Sequence, residues 1–279
     1  MTASAPLVLF EDDHLLAIDK PAGLLAHADD ATHSALTWAQ AREVARGRDP
    51  AELHLVHRLD RDTSGVLLFA RGQAVAETVN SLFRNRKVLK MYLALCSPVP
   101  TVRWQRLSQQ LRPQRVGSGE RMTVVQTEGA HADSEVEVLA RGRRFALVRV
   151  IPEQGRKHQV RVALATAGSP IAGDYLYGGA LSRQLAPRVM LHARSLQFAH
   201  PTTGAHLEVK APLPADFKAM IAQDGGSVPG DLDVRHRSAL AAGPARKHLP
   251  TAADGQAGAA ALPQPRTYAR GGPRRPPKS

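Results

Sequence analysis

The chain has 279 residues, 43% of them hydrophobic, and a formal net charge of +12 at neutral pH. That suits one large domain or two small ones, with a core resting on Leu, Val and Ala because only 4% of residues are aromatic. A single cysteine, Cys96, excludes an internal disulfide and a cysteine-built zinc site, and no apolar run is long enough to span a membrane.

The charge favours a polyanionic partner, most often nucleic acid. From Asp224 onward nine Lys/Arg stand against four Asp, so +7 of the +12 lies in the preceding residues. Met1 to Asp19 lacks the basic start and apolar core of a signal peptide, and with the cysteine usage this points to the cytoplasm.

In chain order, Pro6 to Phe10 and His14 to Asp19 read as strands joined at Glu11-Asp12-Asp13, and Lys20-Pro21-Ala22-Gly23 breaks the pattern. Ser34 is placed to cap a helix through Ala45. The apolar runs Leu53 to Val56 and Val66 to Ala70 read as buried strands. Gln73 to Arg86 carries Val75, Val79, Leu82 and Phe83 at helical spacing, and Val88 to Cys96 reads as a strand holding an inert core thiol. Ser134 to Leu139 and Arg144 to Ile151 form a hairpin around Gly142, and Arg156 to Ala167 reads as a helix ended by Gly168. Arg188 to Phe198 and His206 to Lys210 read as the last strands. Strands and helices mix without βαβ alternation, so the expected class is α+β. Residues 1–222 form the expected folded domain. Residues 223–279, rich in Ala, Gly, Pro and Arg, form an expected disordered basic tail that buries too little apolar area to offset its ordering entropy.

Between two of the apolar runs lies His57-Arg58-Leu59-Asp60-Arg61-Asp62-Thr63-Ser64-Gly65. So many polar groups between buried strands make either a surface turn or a site. Asp60 suits a nucleophile, a general base, a metal ligand or half of an ion pair with Arg58 or Arg61. Asp62 reads better as a turn cap or a solvent-facing group than as a second catalytic carboxylate. Two further segments carry chemistry: Lys90-Met91-Tyr92-Leu93-Ala94 and Gly155-Arg156-Lys157-His158-Gln159-Val160-Arg161. By itself Tyr92 reads as a core tyrosine and Arg161 as an ordinary helix arginine.

Taken together and in order, these segments resemble the pseudouridine synthases of the RluA type. The matching pieces are Lys20 to Gly23, His57 to Asp60 with Thr63 to Gly65, Lys90 with Tyr92 and Ala94, and Gly155-Arg156 with His158 to Arg161. Pro170 to Asp174 with Tyr177-Gly178, Leu191 to Ala193, and Ala211 to Pro214 follow, so the likeness covers about residues 6 to 218. It implies a mixed, mainly antiparallel central sheet flanked by helices. It also implies isomerisation of uridine to pseudouridine in structured ribosomal or transfer RNA, by base flipping and without a cofactor. Asp60 is implied as the catalytic residue, Arg161 as the cation paired with it, and Tyr92 as the ring against the uracil. A neighbouring cation favours the ionised carboxylate. Arg58 is implied to fill the stack vacated by the flipped base, or otherwise to contact phosphate. Lys20, Arg156, Lys157 and His158 are expected to contact RNA.

Lys157 and Ala163 depart from the commoner Thr and His of the family, which bears on RNA contacts more than on chemistry. With no small N-terminal RNA-binding domain ahead of Pro6, recognition is expected to fall to the catalytic domain, to the basic segment 103–121 and to the tail. A monomer without a metal is expected. Two other readings compete: metal-dependent phosphoryl transfer through Asp60-x-Asp62, which would need further acidic ligands, and an RNA-binding module without activity, against which Asp60, Tyr92 and Arg161 argue.

Overall fold

The computed structural model describes residues 5–28, 33–117 and 119–233. One sheet of eleven strands organises them. Along it the order is β1 (Leu7–Glu11), β2 (Leu15–Lys20), β4 (Ser64–Arg71), β10 (Leu191–Ala199), β5 (Leu89–Cys96), β9 (Ala146–Pro152), β8 (Ala130–Arg141), β6 (Trp104–Val116) and β7 (Gly119–Val125). β3 (Leu53–Leu55) adds to β4, and β11 (His206–Lys210) adds to β10. Every pairing is antiparallel except β4 with β10. The class is therefore α+β with a mixed, mainly antiparallel sheet.

β4 is buried along its whole length. Val66, Leu68 and Ala70 pack with α2 (Gln73–Arg84) on one face, while Leu67 and Phe69 pack with α1 (Ala35–Ala45) on the other. A strand covered on both faces needs apolar side chains at every position, which is why it reads as an unbroken run. α1 starts where Ser34 accepts the Thr37 N–H and Thr37 Oγ1 accepts the Ser34 N–H, a reciprocal cap. A further core lies between β5, β8 and β9 and the helices α3 (Gln159–Thr166) and α5 (Ala215–Gln223), and α4 (Gly179–Leu185) lies between these helices in the chain.

The parallel contact of β4 and β10 consists of His192 opposite Ser64 and Ala193 opposite Gly65. A Cβ on Gly65 would lie 2.1 Å from the Ala193 carbonyl oxygen, so only glycine admits this approach. One row of paired residues then crosses the sheet: Lys20, Gly65, Ala193, Tyr92 and Val150. Directly paired residues share a face. The turn that carries Asp60 leads directly into β4 and so reaches this row at Gly65.

Three expectations change. Segment 103–121 forms most of a long β6–β7 hairpin, which its polar, largely exposed strands concealed. The helix expected from Arg156 begins only at Gln159, because His158 adopts a left-handed backbone (φ 56°) and the Gln159 side chain accepts the Arg156 N–H. The compact unit runs to Leu232 rather than 222. Buried Asp224 accepts the N–H groups of Arg144 and Phe145, and Leu232 joins the core. The rest of the expected tail, from 234 on, lies outside the described residues.

Candidate active site

Asp60 closes the turn after β3, where its carbonyl accepts the Thr63 N–H before β4 begins. Its side chain is 29% exposed. Arg161, on the first turn of α3, reaches it from the other side of the sheet's centre, with Nη1 3.3 Å from Asp60 Oδ2. The expected pair therefore exists, but it is the weaker half of the arrangement. The Arg161 guanidinium is clamped by Asp174, with Nε to Oδ2 and Nη2 to Oδ1 both at 2.8 Å. Asp174 is fully buried and also accepts the N–H groups of Leu176 and Tyr177. Burial works against the charge on Arg161, but the bonds and charges of Asp174 and Asp60 outweigh it and raise its pKa. A planar guanidinium held by two bonds to one carboxylate keeps its remaining nitrogen on a fixed line toward the second.

Asp174 is the member of this cluster that sequence reasoning left without a role. The available signal was a lone acid after the apolar Ile171-Ala172-Gly173. Its burial, which makes it matter, was not readable.

Tyr92 lies on β5 in the row through Gly65 and packs against the apolar clusters on either side. Burial raises the pKa of its hydroxyl, and the charge of Asp60 adds to this, so the ring stays neutral. His158 Nε2 lies 3.8 Å from Asp60 Oδ2. Its Nδ1 is 2.7 Å from the Tyr177 hydroxyl, which accepts the Met122 N–H of β7 at 2.9 Å. The Arg161 guanidinium lies over the Tyr177 ring, 5.2 Å from its centroid.

Lys20 is not where an RNA ligand belongs. It is fully buried, and its Nζ donates to the carbonyls of Pro21 (3.0 Å), Leu24 (2.7 Å) and Arg61 (2.9 Å). Burial pulls its pKa down to about 7, against the nearby charges of Asp62 and Asp60. It ties Lys20-Pro21-Ala22-Gly23 to the residue after Asp60, and Gly23 N–H adds a bond to the Arg61 carbonyl. Half-buried Asp62 thus acts on Lys20 and not as a partner to Asp60.

The other expected RNA contacts are distributed at the surface. Arg58 is exposed and makes no ion pair with another described residue. Arg156 and Lys157 are exposed in the turn before α3, where Arg156 Nε donates to the His131 carbonyl and Lys157 Nζ pairs with Glu120 of β7 at 2.9 Å. His57, beside Arg58, is turned inward: Nε2 accepts the Leu68 N–H, the ring stacks on Phe83, and burial lowers its pKa to about 4. Among the described residues no three His, Cys, Asp or Glu side chains gather as metal ligands, and Asp60 faces a guanidinium.

Residues 14–166 match the family described as RNA pseudouridylate synthase. The chain is 36% identical over 226 residues to ribosomal large subunit pseudouridine synthase C of Escherichia coli (strain K12), covering 78% of this chain and 70% of that protein. It is 38% identical over 226 residues to the protein of the same name from Salmonella typhimurium, covering 76% and 68%. Among solved structures it is similar to human RNA pseudouridylate synthase domain containing 4, at 27% identity and a TM-score of 0.65, covering 80% of this chain and 94% of that one. The corresponding values for human RNA pseudouridylate synthase domain containing 1 are 26%, 0.64, 77% and 87%.

Proposed function

The chain belongs to the RNA pseudouridylate synthase family, and from that premise we propose that Asp60 is its catalytic carboxylate, with Arg161 as counter-ion and Tyr92 against the everted base. The enzyme is an isomerase acting on RNA. The C1′–N1 bond of a uridine breaks, the uracil turns, and a C1′–C5 bond forms, so no net oxidation or hydrolysis takes place. The observation that carries the assignment is the 3.3 Å contact of Arg161 with a carboxylate that stays partly open, while the same guanidinium is held at its back by buried Asp174. Each part has a task. Arg161 Nη1 sits 3.3 Å from Asp60 Oδ2 and orients a carboxylate that remains 29% exposed. Asp60 either attacks C1′ or takes a 2′ proton, and both routes need an ionised carboxylate, as in retaining glycoside transfer. A neutral Tyr92 ring offers a stacking face to uracil.

The finer reading is a monomer whose substrate is large-subunit ribosomal RNA, supported by the relatives that carry that name. Exposed Arg58, Arg156 and Lys157 supply the phosphate and stacking contacts. The catalytic domain runs to Leu232, and the basic residues beyond it add salt-sensitive affinity. The test is incubation of the protein with unmodified large-subunit ribosomal RNA, transcribed in vitro, in the presence of EDTA, followed by carbodiimide mapping. Wild type gives pseudouridine and Asp60→Asn gives none. An Asp60→Asn variant at the native rate overturns the assignment, and so does a wild type that forms no pseudouridine either with EDTA or with metal restored.

A further inference from the structure

Resting on the reading of Asp60, we propose that His158, in the tautomer with its proton on Nε2, donates a hydrogen bond to O2 of the uracil as the base separates from its ribose. The tautomer follows from the hydrogen bonds. The Tyr177 hydroxyl oxygen accepts the Met122 N–H at 2.9 Å and lies 2.7 Å from His158 Nδ1. Among the described residues no other acceptor is within hydrogen-bond distance of that hydroxyl, which leaves Nδ1 as the protein acceptor placed to take its proton, the arrangement on which the proposal rests. Nδ1 is then the acceptor, and the ring proton sits on Nε2.

That N–H faces the reacting centre. Nε2 is 3.8 Å from Asp60 Oδ2, too far for a direct hydrogen bond, and the two side chains keep 11% and 29% exposure. The groups facing the ring are Asp60, Arg161, Lys157, Asp174 and Tyr177. Burial is the largest influence and lowers the imidazole pKa; Arg161 and Lys157 act in the same sense, while Asp60 and Asp174 oppose. The ring is therefore a neutral donor near pH 7 and not half of a salt bridge. Its backbone holds φ 56°, a conformation that residues with a Cβ seldom adopt, and this aims the ring back from the helix start toward Asp60 and Tyr177.

The chemistry makes use of such a donor. When the C1′–N1 bond breaks, its electron pair leaves with the uracil, and the negative charge spreads onto the ring oxygens. O2 is the oxygen beside the breaking bond. A fixed N–H there binds the separating base more strongly than the intact nucleotide, which lowers the barrier. His158 gives up no proton in this step; once the C1′–C5 bond has formed, the C5 proton is lost to solvent and N1 takes one up, so the base is isomerised without net gain or loss of a proton.

The test uses single-turnover pseudouridine formation on in vitro transcribed large-subunit ribosomal RNA. His158→Ala slows the step by about 100-fold with much less change in RNA affinity. His158→Gln, whose amide nitrogen lies near the Nε2 position, recovers most of the loss. Tyr177→Phe, which frees the tautomer, gives an intermediate rate. RNA transcribed with 2-thiouridine has a weaker acceptor at that position, so wild type slows on it, and His158→Ala slows further by a smaller factor. The proposal is overturned if His158→Ala keeps the native rate, if its loss is wholly in binding, or if the thio effect is equal in the two proteins. Loss of product in Asp60→Asn alongside a native rate in His158→Ala would sink this inference alone; a native rate in Asp60→Asn would sink the reading on which it rests.

Discussion

Asp174→Ala separates the clamp from the carboxylate it aims. Asp174 accepts four hydrogen bonds, from Arg161 Nε and Nη2 and from the N–H groups of Leu176 and Tyr177. It is 0% exposed, and Arg161 is 6% exposed. Deleting the acid leaves a buried guanidinium whose remaining carboxylate contact is the longer one to Asp60. Breaking a buried pair from one side costs about 3–5 kcal/mol. For a domain of this size each kcal/mol moves the melting temperature by about 2–4 °C, so a drop of roughly 6–20 °C is expected. Asp60→Asn offers the contrast. That side chain is partly solvated and Arg161 keeps its clamp, so the cost should stay below about 1 kcal/mol. Calorimetry and single-turnover pseudouridine assays on both variants test the reasoning. Asp174→Ala should lose stability and activity together, and Asp60→Asn activity alone. Equal melting of Asp174→Ala and wild type, or an Asp60→Asn variant as unstable as Asp174→Ala, would refute it.

Other consequences follow from the same geometry. Gly65→Ala should abolish folding, because its Cβ meets the Ala193 oxygen at 2.1 Å and its φ is 113°; recovery of soluble, active protein would show that β4 and β10 can separate. Lys20→Met leaves three carbonyls without their donor, so stability and activity should fall by about 3 kcal/mol or more. A stable Lys20→Met protein with weakened RNA binding would restore Lys20 as a phosphate ligand. Arg58→Ala should leave melting within about 0.5 kcal/mol of wild type and lower RNA affinity, with a salt slope smaller by about 1 if the contact is to phosphate. Stability should fall with acid: His57 and His192 are held near pKa 4 by burial, against about 6.5 in the unfolded chain. The unfolded state therefore binds protons that the folded state refuses. Their contribution is complete above about pH 6.5 and is lost as pH drops toward 4, at up to about 2.7 kcal/mol per pH unit. Urea unfolding with equal midpoints at pH 7 and pH 5 would contradict this.

Much of the frame was legible in the sequence. β4 announced itself because burial on both faces demands an unbroken apolar run, and α1 because Ser34 stands where a helix cap is needed, although its reciprocal partner Thr37 emerged only in the structure. Asp60 stood out because its polar stretch interrupts two such runs. The β6–β7 hairpin did not stand out, since a largely exposed strand such as 104–116 carries Gln, Arg and Ser at positions that burial would otherwise restrict. Lys20 was misread for a related reason: lysine is a surface residue by default, and the three carbonyls that hold it come from backbone that composition does not reveal.

By itself the sequence offered Asp60, Tyr92 and Arg161 as candidate catalytic residues and His158 as a candidate RNA contact, together with the local elements that carry them. Those are short-range matters of side-chain chemistry and periodicity. Only the tertiary structure decided which acid holds Arg161 and which nitrogen of His158 faces Asp60. Arg161 meets Asp60 across a separation of 101 residues, and Tyr177 meets Met122 across 55. Such contacts depend on strand order and burial, which a linear pattern does not encode.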